Sequence, residues 1–461
     1  MKDSAKPGPD VQRGLAATLA LIFLLLGRAN TASALANLPP PRMTFLDNEE
    51  VRIGMDLSLG GAVTFLSSRA HPGNIINSAD LGRQIQMSHY SGPKPFELPG
   101  KKPHSNWVQI GWNPIQSGDC YLNPSKVLEH RNDGRELYIK CRPMHWPLDN
   151  VPGECVFETW TTLDGPVIHM RFRCTNQRSD QTFYPAADQE LPAVYTVSSL
   201  SRLMTYAGEQ PFTGGVLTQI KNDWKAGWPW TRFMATERWA ALVDTNDWGI
   251  GVFKDDGGEF HGGIYGDHPS GDPKGDSTAY VAPIHKDNFD HNITYEHRTD
   301  IMVGKLADIR RRFNALATKS PPAWKFAANR QHWFLSRATD QGFPLNGEWR
   351  IRFGDQKPWL QGPNHCWRAE QAKQVELEIS YQGQPTAARV YWKRLDAESW
   401  SGDRSLSFDV TADDKPRKYR LNLAASPEYR GLITGLALEP IPKPQPGGEI
   451  ALKSIKLLAA P

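Results

Sequence analysis

The stretch "VRIGMDLSLGGAV", residues 51–63, sets Val51, Ile53, Met55, Leu57 and Leu59 in alternation with their neighbours before Gly60 and Gly61 interrupt it. A period of two puts every second side chain on one face of an extended chain, whereas a helix would need apolar residues three and four apart. The stretch therefore predicts a half-buried strand closed by a glycine corner. The same rhythm returns in "VIHMRFRC", residues 167–174, where Ile168, Met170, Phe172 and Cys174 point one way and His169, Arg171 and Arg173 the other. "RELYIKC", "WAALVD" and "WGIGVFK" read as further strands. "NDG" (132–134), "LDG" (163–165) and "DDGG" (255–258) supply turns between them. So many short strands and Gly/Pro-rich turns predict an all-β protein built on a large sandwich.

One segment departs from that rhythm. "KLADIRRRFNALA", 305–317, places Leu306, Ile309, Phe313 and Leu316 at helical spacing, and Pro321 and Pro322 stop it. It reads as a helix closing a first domain, 40–317, with Arg310, Arg311 and Arg312 on a solvated flank. A linker at 318–328 would follow, then a smaller β-sandwich at 329–461. In that second domain "VELEISY", "LSFDV" and "YRLNL" alternate as antiparallel strands.

The length of 461 residues is enough for two or three domains with sizeable cores. Residues 1–36 carry Lys2, Lys6 and Arg13, an apolar run "LAATLALIFLLL" and a small-residue exit "TASALA". This is the layout of a secretory signal, and the run is shorter than the ~20 residues a membrane span needs. The expectation is a secreted or periplasmic protein without a membrane span in its mature form. Removing that segment takes away Lys2, Lys6, Arg13, Arg28, Asp3 and Asp10, leaving 49 basic against 48 acidic residues. A nearly neutral chain without a basic, aromatic-laced tract predicts no nucleic-acid partner. Export predicts at least one disulfide among Cys120, Cys141, Cys155 and Cys174, with Cys366 apart. The oligomeric state is not readable from the sequence.

Two resemblances bear on function. The ending "ITGLALEPIPKPQPGGEIALKSIKLL", with "WRIRFGD" and "ARVYWK" before it, resembles the last strands of galactose-binding-like jelly rolls found on secreted carbohydrate-active proteins. The opening of the first domain, through Gly60, Gly61, Asn74, Asn77, Asp80, Gly82 and Arg83, is similar to that of galactose mutarotase-like supersandwich domains. Together they imply a large antiparallel β-supersandwich followed by a smaller jelly roll. They also imply a concave sheet that faces sugars.

Candidate site residues follow from the chemistry sugars demand: planar amide, guanidinium and carboxylate partners, with aromatic faces to stack on. "DLGRQIQMSHY", 80–90, offers Arg83, Gln84, Gln86, His89 and Tyr90. "GWNPIQSGDC", 111–120, adds Trp112, Asn113, Gln116 and Asp119, and "RPMHWPLDN", 142–150, adds His145 and Trp146. The segment "NDWKAGWPWTRFMATERW", 222–239, fits neither period and presents Trp228 and Trp230 as a stacking wall; Trp239 belongs to the strand that follows.

The acids sit in "DQELPAVY", 188–195. In an extended chain Asp188 and Glu190 share a face ~7 Å apart, with Gln189 on the other. That separation suits two carboxylates flanking a glycosidic bond. Glu190 is the first candidate for catalysis, as a general acid, paired with Asp188, with Glu158 from "ECVFETW" or with Glu237 from "ATERW"; Tyr195 closes the segment. The reading is a glycoside hydrolase acting on a polysaccharide or oligosaccharide. A lyase on a uronic-acid polymer is the alternative, drawing on Arg83, His145 and Tyr195 or on His89 and Tyr90. A secreted glycan-binding protein is the third. No cofactor and no catalytic metal are expected, though Asp267, His268, Asp272 and Asp276 in the 265–280 loop would suit a structural calcium.

Overall fold

The computed structural model describes residues 38–221, 227 and 230–459, so the expected signal segment and Trp228 lie outside the described residues. Every ladder in it is antiparallel. One sheet runs in the order Met43–Asp47, Val51–Asp56, Ala62–Ser68, Ile85–Ser88, Ala187–Val197, Thr278–Asp287, Glu259–Tyr265, Thr231–Met234. A second runs from Thr218–Gln219 through Arg202–Thr205, Trp239–Val243, Trp248–Phe253, Thr294–Lys305, Val167–Asn176, Cys155–Asp164 and Glu136–Arg142 to Lys126–Asn132. Their inner faces close on one core, with Ile53, Met55, Met87, Leu191, Val194 and Val281 from the first sheet against Ile139, Phe157, Met170, Phe172, Ile250 and Val252 from the second.

The opening stretch behaves as a strand up to Asp56 and then turns. Asp56 Oδ1 accepts from the backbone of Arg42 and Ser58, and Gly61 N–H donates to the Asp56 carbonyl. Gly60 and Gly61 have φ of 60° and 72°. A β-carbon on Gly60 would stand 2.0 Å from the Gln116 carbonyl oxygen, so the corner requires glycine for both conformation and space.

The helix spans Leu306–Leu316 and packs Ile309 and Phe313 against Trp239, Ala241 and Phe253 on the outer face of the second sheet. Of its arginines, Arg311 is solvated as expected, while Arg310 and Arg312 are tied down. Arg310 grips the buried Glu237 through two hydrogen bonds of 2.9 Å, and Arg312 pairs with Asp164. No described helix is long and apolar enough to cross a membrane.

Two smaller sheets form the second sandwich, one centred on Glu449–Leu458 between Trp349–Phe353 and Gln374–Gln382, the other on Leu432–Glu439 beside Thr386–Arg394. Trp333, Trp349, Leu377, Trp392, Leu438 and Ile455 lie in their common core. Part of the stretch read as a linker belongs to this sandwich: Ala323–Lys325 pairs with the Glu449–Leu458 strand, and Trp324 and Phe326 are buried. The alternation of "WKF" outweighs the proline signal just before it. The cysteines are free thiols, with Cys141, Cys155 and Cys174 meeting in the first core on neighbouring strands in place of the expected disulfide.

Candidate functional site

The strand Ala187–Val197 runs through the middle of the first sheet, between Ile85–Ser88 and Thr278–Asp287. Strict alternation would put Glu190 and Tyr195, five residues apart, on opposite faces. The register shows otherwise. Glu190 lies opposite Ile284 and Val194 opposite Val281, so four steps on one strand meet three on the other. The extra residue is a bulge, and beyond it Tyr195 emerges on the same outward face as Glu190. Leu191 and Val194 remain in the core.

On that face Glu190 accepts hydrogen bonds from two tyrosines. Tyr90 Oη donates to Oε2 at 2.6 Å, and Tyr280 Oη donates to Oε1. Burial, and then the adjacent Glu190, push both phenols well above their usual range, so they remain protonated donors at neutral pH. Tyr195 packs against Tyr280 with ring centroids 4.7 Å apart, and Trp230 stacks on Tyr280 at 4.7 Å and 23°. The result is a carboxylate set beside an aromatic wall.

Two further polar atoms near Glu190 lack hydrogen-bond partners. Asp188 Oδ1 and His261 Nε2 are both buried without one. His261 lies on Glu259–Tyr265 opposite Ala282, close enough to Asp188 and Glu190 to feel their charge, and burial pulls it below its usual value. Buried polar atoms are nearly always satisfied, and these two, beside a doubly held carboxylate, keep unused hydrogen-bonding capacity.

The second sandwich reaches the rim of this face. Asn364 donates to Glu259, which also pairs with Arg232 at 2.5 Å, and Gly258 N–H donates to the Asn364 carbonyl at 2.8 Å.

Of the other residues picked out from the sequence, Arg83 stands at the edge of the cluster, near Tyr195. It is held by Asp80 at 3.0 Å and Asp276 at 3.3 Å. Gln189 points inward and clamps the backbone of Tyr90, accepting from its N–H at 2.9 Å and donating to its carbonyl at 2.7 Å. It therefore positions Tyr90 from the far side of the strand. Gln86 ties down its own loop through the carbonyls of Leu81 and Arg83. Trp146 packs on Trp107 and against Gly82.

Trp112 and His145 are buried against each other and Phe289 or Phe96, away from Glu190. Glu158 lies on the second sheet, bonded to Tyr138 at 2.7 Å and near Arg173. Glu237 is consumed by Arg310, Trp239 and the Phe212 backbone. The structure thus gathers Asp188, Glu190, Tyr90, Tyr195, Trp230 and, at the rim, Arg83, and separates the rest from them.

Tyr280 and His261 carry no sequence signal that singles them out. Tyr280 alternates with Ala282 and Ile284 in "TAYVAPIHKD", a pattern that gives the face but not the neighbour.

For metals, the 265–280 loop spends Asp272 on the Lys274 backbone and Asp276 on Arg83. Among the described residues the group of three that could hold an ion is elsewhere: His285, Asp287 and His332, whose donor atoms lie within 4.8 Å of one another. It borders a cavity of about 780 Å³ at the junction of the sandwiches, on the opposite face of the strands from Glu190 and Tyr280.

No protein-family model matches the chain, and no curated protein does. Similar solved structures include a provisionally assigned aldose 1-epimerase from Escherichia coli K12, 11% identical over 58% of this chain and 100% of that one, with a TM-score of 0.37. A galactose mutarotase-like protein from Lactobacillus casei is 12% identical over 57% and 100%, with a TM-score of 0.36. A low-affinity xylan-binding module from Roseburia intestinalis is 12% identical over 30% and 95%, with a TM-score of 0.23. Scores this low carry nothing further for this chain.

Proposed function

We propose that the outward face around Glu190 is the active site of a carbohydrate-active enzyme that hydrolyses a glycosidic bond in a polysaccharide or oligosaccharide. The observation that carries this reading is the Glu190 carboxylate held by Tyr90 and Tyr280, with the unpartnered Asp188 Oδ1 and His261 Nε2 beside it. Tyr195 and Trp230 supply an apolar wall against which the C–H face of a sugar ring stacks.

Glu190 receives two hydroxyl donors, which orient its carboxylate to activate water or attack the anomeric carbon, in place of the general-acid role expected from the sequence. Asp188, two residues away on the same face at ~7 Å along the strand, is left as the proton donor to the leaving oxygen. His261, neutral at pH 7, bonds a sugar hydroxyl. Elimination from a uronate would need a phenolate or imidazole base at the α-proton. The tyrosines that face Glu190 are pushed the wrong way for that task, which leaves His261 as the base that an elimination would use. Export through the signal-like segment expected at residues 1–36 would carry this activity out of the cytoplasm.

The test is to incubate the protein with a panel of neutral and uronate polysaccharides, following reducing ends and ultraviolet absorbance together. Reducing ends without absorbance, abolished in Glu190→Gln, support hydrolysis. Unsaturated products with rising absorbance would replace it with elimination. Binding without any new ends would leave a glycan-binding protein.

A further inference from the structure

The strand Thr278–Asp287 has a second face. Tyr280 looks outward to Glu190, while His285 and Asp287 look inward at the end of the first sandwich, where a loop of the second sandwich brings His332 against them. His332 Nδ1 lies 3.3 Å from Asp287 Oδ2, and His332 Nε2 lies 3.8 Å from Asp256 Oδ2. His285 Nε2 lies 3.4 Å from Asp256 Oδ1, without hydrogen-bond alignment. We propose that His285, Asp287 and His332 form a binding site for a divalent transition-metal ion, zinc or a near equivalent, that ties the two sandwiches together.

Three independent features of the cluster support this. His285 is only 4% exposed, and neither of its ring nitrogens makes a hydrogen bond. Leaving a buried imidazole unpaired is costly, and a metal ion is a partner that takes its lone pair. Next, the surroundings are built as outer support. Tyr295 Oη donates to Asp287 Oδ2 at 2.5 Å and fixes that carboxylate, as the groups behind metal ligands do.

Finally, the loop that carries His332 is clamped. Arg330, two residues earlier, binds Asp290 of the first sandwich at 2.5 and 3.1 Å and Asp340 of the second at 2.7 and 2.9 Å. Gln331 and His332 hold left-handed conformations, with φ of 52° and 60°, to aim the ring inward. Glycine keeps the other side open: a β-carbon on Gly257 would stand 2.3 Å from His285 Nε2.

Donor chemistry sets the class of ion. Two imidazoles and one carboxylate favour zinc and its first-row neighbours over calcium or magnesium, which prefer oxygen ligands. In a tetrahedral site with bonds of 2.0–2.2 Å the donor atoms stand about 3.3–3.6 Å apart. The 3.3 Å His332–Asp287 separation is already of that size, and the others, within 4.8 Å, need to close by no more than about 1.5 Å. Asp256 lies alongside as a second carboxylate, with the ammonium of the buried Lys254 2.5 Å from it. That lysine neutralises one acid and leaves Asp287 as the uncompensated charge for the ion. Asp256, Asp287, Tyr295 and His332 line the cavity of about 780 Å³, which provides entry from solvent.

The experiment strips the full chain with a chelator and titrates it with zinc and, separately, with cobalt. Ion content is read by mass spectrometry, ligation by the cobalt absorption bands and stability by thermal unfolding. His332→Asn is the main variant, since asparagine tolerates the left-handed backbone there; Asp287→Asn is the second. The expected result is one ion per chain, cobalt bands of nitrogen–oxygen ligation, and a higher unfolding midpoint on zinc addition. Affinity should fall tenfold or more in His332→Asn while its metal-free midpoint stays near that of the parent. A stripped parent that takes up no ion overturns the proposal, as does an ion bound equally well by both variants.

Discussion

Replacing Glu190 by glutamine separates a catalytic acid from a structural one, and the structure sets both magnitudes. The wild-type carboxylate accepts from Tyr90 at 2.6 Å and from Tyr280 on its other oxygen. An amide has a single acceptor oxygen, so one phenol must lose its acceptor or turn to accept from the new NH2. Losing one hydrogen bond to a charged group costs about 1.5–3 kcal/mol, which for a domain of this size lowers the unfolding midpoint by a few degrees. With a total stability of about 5–15 kcal/mol, that loss leaves the protein almost wholly folded at 25 °C. A purely structural Glu190 therefore predicts near-normal turnover in the variant. A catalytic one predicts a fall of ~100-fold or more, because no proton can be taken or bond formed at an amide. The assay is turnover on the polysaccharide that the panel identifies, with thermal unfolding on the same preparation. A folded Glu190→Gln protein with turnover within twofold of the parent refutes the assignment.

Tyr280→Phe should lower kcat roughly tenfold to hundredfold with little change in KM, since Glu190 loses a donor that aligns it during the reaction; initial rates across substrate concentration check this, and an unchanged kcat removes Tyr280 from the site. Arg330→Met should destabilise by about 3–5 kcal/mol, because Asp290 and Asp340 are left as buried unpaired charges, and denaturant unfolding would expose a smaller loss. For pH, burial holds His89 down to about 4 and His145 down to about 3 in the fold. Between pH 6.5 and about 4 the unfolded chain therefore takes up protons that the folded one refuses. Each histidine should then remove up to about 1.4 kcal/mol per pH unit as the pH falls through that window, with no contribution above it. A midpoint that stays level from pH 6.5 to 4.5 would count against buried neutral imidazoles.

Much of the fold is visible in periodicity alone. The alternation of Ile168, Met170, Phe172 and Cys174 with His169, Arg171 and Arg173 matches their burial residue by residue, because a half-buried strand leaves no other solution. Helical spacing placed Ile309 and Phe313 correctly, yet could not show that Arg310 reaches across to Glu237, a contact between residues 73 positions apart.

The site divides along the same line. Asp188 and Glu190 were legible as a facing pair from strand spacing. Their neighbours Tyr280 and His261 belong to strands that come about 70 to 90 residues later, and pairing order leaves no local trace. Trp112 and His145 looked suited to sugars by residue type, but apolar neighbours drew them into the core. The His285, Asp287 and His332 cluster shows the same limit: "HKD" displays two of its members on one face, while the third comes from another sandwich.

The extra residue between Glu190 and Val194 bears on how relatives of this protein would be recognised. With the bulge, a glutamate and a tyrosine sharing a face are separated by four residues; in a strand without it they would be separated by three, and the two spacings build the same surface. A fixed-spacing motif would therefore split one lineage into two. A one-residue gap in an alignment at 191–193 would mark conserved geometry and not divergence. Deleting Ala193 outright, a change that looks severe on paper, leaves Glu190 and the tyrosine facing the same way.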